Sequence, residues 1–224
     1  MIVDFFPPSS RSAAERRRLC QESIRLSQMS ADYHRYGLDY FDNPALVVGY
    51  GAYRYDGRYA GAAAAMCRHY GLKPGDRVLE IGCAKGFFLV EFHKLGMQVA
   101  GVDASEYAVA QAHPEIRPFI RLGDAARLPF GDGTFDLVVG KEVLPHIPEV
   151  RLRSAIRECM RVAKGPIFFE IQCGRTEWEL EYMRLWDGTH QTMRSPAWWE
   201  VLFAELGYAG DRHYKVLVPD EEER

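Results

Sequence analysis

Apolar and polar positions follow two rhythms along this chain, and the change between them divides it. Residues 11 to about 35 place Ala14, Leu19, Ile24, Leu26 and Met29 among charges, an amphipathic-helix pattern with Ser12 and Glu15 spaced as a capping box. An alanine-rich helix is predicted from Tyr59 to Tyr70, and the turn Gly71-Leu72-Lys73-Pro74-Gly75-Asp76 ends it. Strand-length apolar runs then alternate with helical spacing. Strands are predicted at Val78-Leu79, at 97–103, at 120–125, at 135–142 and at 166–171, with a helix from about Pro148 to Val162 returning the chain between the last two. Alternation of this kind implies an α/β fold: a doubly wound, Rossmann-like sheet, mostly parallel, covered by helices on both faces.

The turn after the first strand, Glu80-Ile81-Gly82-Cys83-Ala84-Lys85-Gly86, leads into the apolar start of a helix, Phe87-Phe88-Leu89-Val90. A ligand binds at such a strand–turn–helix junction in an open sheet. Gly82 permits the sharp turn, and Gly86 lets the helix begin close to a ligand. A dinucleotide fingerprint would require three glycines where this chain has Gly82, Ala84 and Phe87. Glu80 would repel a diphosphate and attract a cationic group instead. The next two strands end in acids, Asp103 and Asp124, and Asp103 falls about twenty residues past the turn, where a carboxylate accepts ribose hydroxyls.

Together with Phe135–Glu142 and the following Val143-Leu144-Pro145-His146-Ile147, these motifs resemble class I S-adenosylmethionine (SAM) dependent methyltransferases over roughly residues 72 to 172. The resemblance implies SAM as cofactor, held by Glu80, Gly82, Cys83, Ala84, Gly86, Asp103, Ala104, Asp124, Ala125 and Lys141, with Asp124 facing the adenine amine. Ala84 stands where the family usually has glycine and fits there without strain if its φ is negative; otherwise the loop is slightly reshaped but not necessarily disabled. The family's closing antiparallel strand pair is not evident here. Ser195-Pro196 starts a helix, and one strand follows at 213–218, so six or seven strands are expected. Residues 1–70 read as an N-terminal helical cap segment. Residues 71–224 read as the methyltransferase domain, with a second, aromatic part of the substrate cap inserted at about 174–194.

Candidates for acceptor chemistry are His190, with Asp187 as its orienting partner, and His146 after the fourth strand. Tyr55, Arg58 and Glu142 are candidates for contact with substrate, Arg58 and Tyr55 as a clamp on a carboxylate or other anion. Asp187 with His190 lacks further ligands at convincing spacing, so no metal is expected. The expected reaction is O-methylation of a sugar, a phosphonate or phosphate, or a natural-product intermediate. N-methylation of an amino sugar or other small amine is the alternative, and a non-catalytic methyltransferase-like binding protein is the reading from a different class.

Bulk properties narrow the setting. The chain has 224 residues, 28 basic against 31 acidic, for a net charge of −3. Only Arg16-Arg17-Arg18 clusters positive charge, in a helical pattern, which argues against a nucleic-acid partner. Five scattered cysteines without a C-x-x-C pair fit free thiols in a reducing cytoplasm. No apolar run reaches membrane-spanning length, and the N-terminal apolar stretch lacks the basic region of a secretory signal. A cytoplasmic enzyme with a small-molecule substrate is expected; the composition leaves the oligomeric state open.

Overall fold

The structure is a computed structural model that describes residues 1–6, 15, 18, 21–22, 30–45, 50 and 52–217. Most of the amphipathic pattern at 11–35, with its Ser12 capping box, lies outside the described residues, as does the acidic tail.

Two short helices, α1 (Ala31–His34) and α2 (Leu38–Phe41), precede α3 (Ala60–Tyr70). Alternation follows: β1 (Arg77–Ile81), α4 (Phe87–Lys94), β2 (Gln98–Asp103), α5 (Glu106–Ala110), β3 (Ile120–Leu122), β4 (Leu137–Lys141), α6 (Glu149–Val162) and β5 (Ile167–Gln172). The chain continues through α7 (Glu177–Trp186), α8 (Pro196–Leu206) and β6 (Asp211–Lys215). Among the described residues the six strands form one sheet in the order β3-β2-β1-β4-β5-β6, and every pairing is parallel. The order reverses between β1 and β4, the switch point at which open α/β sheets bind ligands.

Period-two alternation sorts each strand between two cores. Leu79, Ile81, Val138, Phe169 and Ile171 face α6 and α8. α6 buries Leu152, Ala155, Ile156, Cys159 and Val162, a stripe at helical spacing. α8 begins at the expected cap, where the Ser195 side chain accepts from the Trp198 amide, and it buries Trp199, Leu202 and Phe203. Val78, Val99, Leu137, Val139 and Phe168 face α3 and α4. Ala62, Ala63 and Met66 of α3 belong to this second core, so the part of the N-terminal segment that covers the strand ends stops at residue 59. The chain's first residues also join the sheet: the Val3 amide donates to Arg212 O and the Arg212 amide to Met1 O, both at 3.0 Å, along the outer edge of β6. That pairing covers an edge that would otherwise present open backbone groups.

Toward their carboxyl ends the strands on the α3/α4 side change from apolar to charged. Lys141, Glu170 and His213 are register neighbours on β4, β5 and β6, and Gln172 pairs with Lys215 one step further on. Glu80 occupies the corresponding end of β1. A polar floor thus lies where the sheet meets the covering segments.

Candidate active site

A cavity of about 810 Å³ opens over the carboxyl ends of β1, β2, β4, β5 and β6. Its cofactor side is built by backbone geometry. Gly82 has φ +63°, and a Cβ there would come within 2.3 Å of Val143. Gly86 has φ +74°, and its missing Cβ would meet Ile116 at 2.2 Å. Gly86 is therefore glycine because α4 packs against Ile116 and Ile120, which corrects the expectation of close ligand approach; it does not line the cavity. Ala84 departs from expectation more sharply. Its φ is +48°, a left-handed conformation that costs a non-glycine residue about 1–2 kcal/mol. A hydrogen bond holds it there, from the Ala84 amide to Asp103 Oδ2 at 2.6 Å. Asp103 Oδ1 accepts the Ser105 amide at 2.8 Å, so the carboxylate is fixed in the cavity wall with lone pairs to spare. Tyr36 and Glu142 also have positive φ and also line the cavity, and such backbone strain concentrates at functional sites.

Of the residues expected to hold the cofactor, Gly82, Ala84, Asp103, Ala104, Asp124, Ala125 and Lys141 line the cavity. Cys83 is buried behind the turn, its thiol directed at the Ala84 carbonyl, and burial pushes that thiol well up. Glu80 is buried beneath the turn, and its Oε2 has no hydrogen-bond partner. Burial drives its carboxyl well above the usual range, against the pull of Lys141. Asp124 Oδ1 accepts the Ala126 amide at 2.9 Å, and its Oδ2 accepts Arg151, another cavity residue that the sequence pattern did not single out.

The acceptor side differs from the expected arrangement. His190 is withdrawn from the cavity: Nδ1 lies 2.9 Å from Met183 O and Nε2 2.6 Å from Gln172 Oε1. Burial and the neighbouring His146 lower its pKa to about 4. Both ring nitrogens face protein oxygens rather than the cavity, which His190 does not line, and this corrects the expectation that His190 is the leading base. Asp187 is not bonded to that ring either. Its Oδ1 accepts the Thr189 hydroxyl at 2.7 Å, the Thr189 amide at 2.9 Å and Tyr33 at 3.1 Å, and its Oδ2 accepts Tyr40 at 2.8 Å. Burial opposes its ionisation, but the two imidazoles and Thr189 outweigh that and hold its carboxyl below the usual range. His146 does face the cavity, with Nδ1 3.0 Å from Thr189 Oγ1. Thr189 and the tyrosines were missed because a hydroxyl beside a candidate histidine carries no signal of its own in sequence.

His146, Asp187 and His190 bring potential ligand atoms within 4.8 Å of one another, a grouping that sequence spacing did not reveal. Thr189 links His146 to Asp187, while both nitrogens of His190 face Met183 O and Gln172 instead.

Tyr55 does not reach the cavity. Its hydroxyl joins Glu91 and Lys94 on α4. Arg58 lines the cavity mouth but is paired with Asp56, at 2.6 Å from Nη2 to Oδ2. Glu142 lies at the centre of the polar floor, accepting from Lys141, Gln172 and, at 2.7 Å, Lys215. Lys215 also reaches Glu170 at 3.1 Å. Around the cavity stand Tyr36, Tyr40, Phe41, Tyr50 and Tyr59. The covering segment is tied to the cofactor turn by Lys85, which donates to Asp42 at 2.6 Å and to Tyr53 O at 3.0 Å.

Residues 79–166 match the family described as a methyltransferase domain. The YcgJ protein of Bacillus subtilis has the same fold, with a TM-score of 0.55, 26% identity, and coverage of 64% of this chain and 66% of that one. The chain carries a class I methyltransferase domain. It is 33% identical over 132 residues to a ubiquinone biosynthesis O-methyltransferase of Mesorhizobium japonicum, covering 52% of each chain. It is 35% identical over 121 residues to a sterol 24-C-methyltransferase of Gibberella zeae, covering 47% of this chain and 31% of the other. The first relatives it matches are spanned over only 31% to 65% of their length. The shared part is the methyltransferase domain, while the segments that wall the acceptor side lie largely outside the family match. No helix among the described residues is long and apolar enough to cross a membrane.

Proposed function

We propose that the chain is a SAM-dependent methyltransferase that methylates an oxygen of a small molecule such as a sugar or a natural-product intermediate. The observation that carries this reading is a cavity lined together by Asp103, Asp124 and His146. Charge supports it: the wall holds five carboxylates (Asp56, Asp103, Asp124, Glu142, Asp187) against four lysines and arginines (Arg58, Lys141, Arg151, Lys215). A negative surplus favours a ligand bearing an ammonium and a sulfonium.

Bound there, SAM supplies a methyl group already activated on a sulfonium. The protein's part is then alignment and exclusion of water. Asp103 accepts the ribose hydroxyls, Asp124 accepts the adenine amine, and the amides of Ala104 and Ala125 border the nucleoside. Residues 30–59 and 174–194 act as the substrate cap, the tyrosines closing the chamber against solvent.

Calorimetry with SAM and with S-adenosylhomocysteine tests the reading. Micromolar affinity, roughly −8 kcal/mol, is expected for both, followed by methylated product in a mass-spectrometric screen of hydroxylated metabolites. A protein that gives no heat and no thermal shift with either ligand would not be a methyltransferase.

A further inference from the structure

We propose that Thr189 is a positioning residue that links Asp187 to His146 and thereby presents His146 as the base for a neutral hydroxyl acceptor. This rests on the methyltransferase reading and extends it to the acceptor.

The argument is one of counting protons. Asp187 is an ionised carboxylate and accepts only. Thr189 Oγ1, 2.7 Å away, has one proton and must give it to Asp187. Toward His146, 3.0 Å away, the same oxygen is then left as an acceptor, so Nδ1 of His146 must carry a hydrogen. In a neutral imidazole that leaves the lone pair on Nε2, which has no hydrogen-bond partner among the described residues, in a side chain that borders the cavity. Thr189 is buried, so water does not compete for either bond. Tyr40 holds the other oxygen of Asp187, Oδ2, and Tyr33 shares Oδ1 with Thr189, so the carboxylate is fixed at both oxygens.

The character of the acceptor follows from the cations. All four lysines and arginines on the cavity wall are already partnered: Arg58 with Asp56, Arg151 with Asp124, and Lys141 and Lys215 with Glu142 and Glu170. Among the described residues no unmatched positive charge on the cavity wall awaits a phosphate, phosphonate or carboxylate, and an anionic oxygen would need no base. A hydroxyl needs one. In the step, the acceptor O–H proton passes to Nε2 of His146 as its oxygen bonds to the methyl carbon. The sulfur–methyl bond breaks with its electron pair left on sulfur, and the positive charge moves from sulfonium to imidazolium.

Nitrogen-15 imidazole NMR reads the tautomer directly in the full-length protein with S-adenosylhomocysteine present. The expected result is His146 as the Nδ1–H tautomer, retained in Thr189→Ser and shifted toward Nε2–H in Thr189→Val. A wild-type ring in the Nε2–H form would overturn the proposal, even if the valine variant failed to fold. So would serine and valine variants that behave alike. Inorganic phosphate should produce neither binding heat nor a shift at His146; saturable binding would overturn the neutral-acceptor part. Stoichiometric Mn²⁺ that selectively broadens both His146 and His190 would make the cluster a metal site and overturn the linkage. Calorimetry with S-adenosylhomocysteine on the same sample separates the two levels. Absence of binding with the expected tautomer would remove the methyltransferase reading alone, while binding with the wrong tautomer would remove only the role of Thr189.

Discussion

The two ends of the cavity solve different problems with different materials. The cofactor end is made of backbone: a glycine and an alanine in left-handed conformation, strand termini, and an aspartate fixed by two amides. The acceptor end is made of side chains from four separate parts of the chain: residues 30–59, the turn after β4, the segment 187–191 and the end of β6. A backbone cradle recognises a ligand that does not change and tolerates little substitution. A wall of side chains can be rebuilt one residue at a time without disturbing the sheet. The family match, residues 79–166, covers most of the first end and little of the second.

The division predicts that changes at the acceptor end alter rate and changes at the cofactor end alter affinity. The largest effect is expected from His146→Gln, which should lower turnover by roughly 10²–10⁴-fold with S-adenosylhomocysteine affinity unchanged. An equal loss of cofactor affinity would show that the two ends are not separable. Asp103→Ala should weaken S-adenosylhomocysteine binding by ~2 kcal/mol, about thirtyfold, because a charged acceptor for two hydroxyls is lost. Calorimetry that finds the same dissociation constant would move the ribose away from β2.

Another effect concerns stability rather than function. His190 takes up a proton at about 4 in the folded chain, against 6.5 ordinarily. As pH falls from about 6.5 the unfolded chain is protonated first, so stability that is complete above 6.5 is lost progressively down to about 4. The loss should be on the order of 3 kcal/mol. Denaturation midpoints measured across that range should decline in the wild type and decline less in His190→Gln. The smallest effect is expected for Arg58→Ala, under ~0.5 kcal/mol in either stability or cofactor affinity, because the Arg58–Asp56 pair is exposed and screened. A tenfold loss of S-adenosylhomocysteine affinity would restore the role as an anion clamp that the sequence suggested.

What was legible in the sequence follows the same line. Strands, crossover helices and the acids at strand ends are local patterns, and they appear where periodicity placed them: β2 ends at Asp103, and α6 ends at Val162. The parallel character of β6 was not legible, because pairing direction depends on how α8 brings the chain back. Ala84 shows the limit of residue-type rules. Alanine ordinarily avoids positive φ, but the bond from its amide to Asp103 imposes it. At the acceptor end local pattern was a poor guide. His190 stood out in a polar stretch, yet Gln172 and Met183 O, 18 and 7 residues away, enclose it. His146 had a bland surrounding sequence and gains its setting from Thr189, 43 residues later. Tyr55 sat among glycines and was read as a ligand contact, but Glu91 and Lys94 draw its hydroxyl onto α4.

The hydroxyls of Tyr33 and Tyr40 on Asp187 have a consequence for how the acceptor end is held together. The same stretch of chain that roofs the chamber supplies half of the hydrogen bonds that keep this carboxylate in place. Any displacement of Tyr33 and Tyr40 would take both donors from Asp187 and leave the chain of bonds ending at His146 without its anchor. The setting of His146 thus depends on a segment more than a hundred residues earlier in the chain, and the covering segment and the candidate base are one unit.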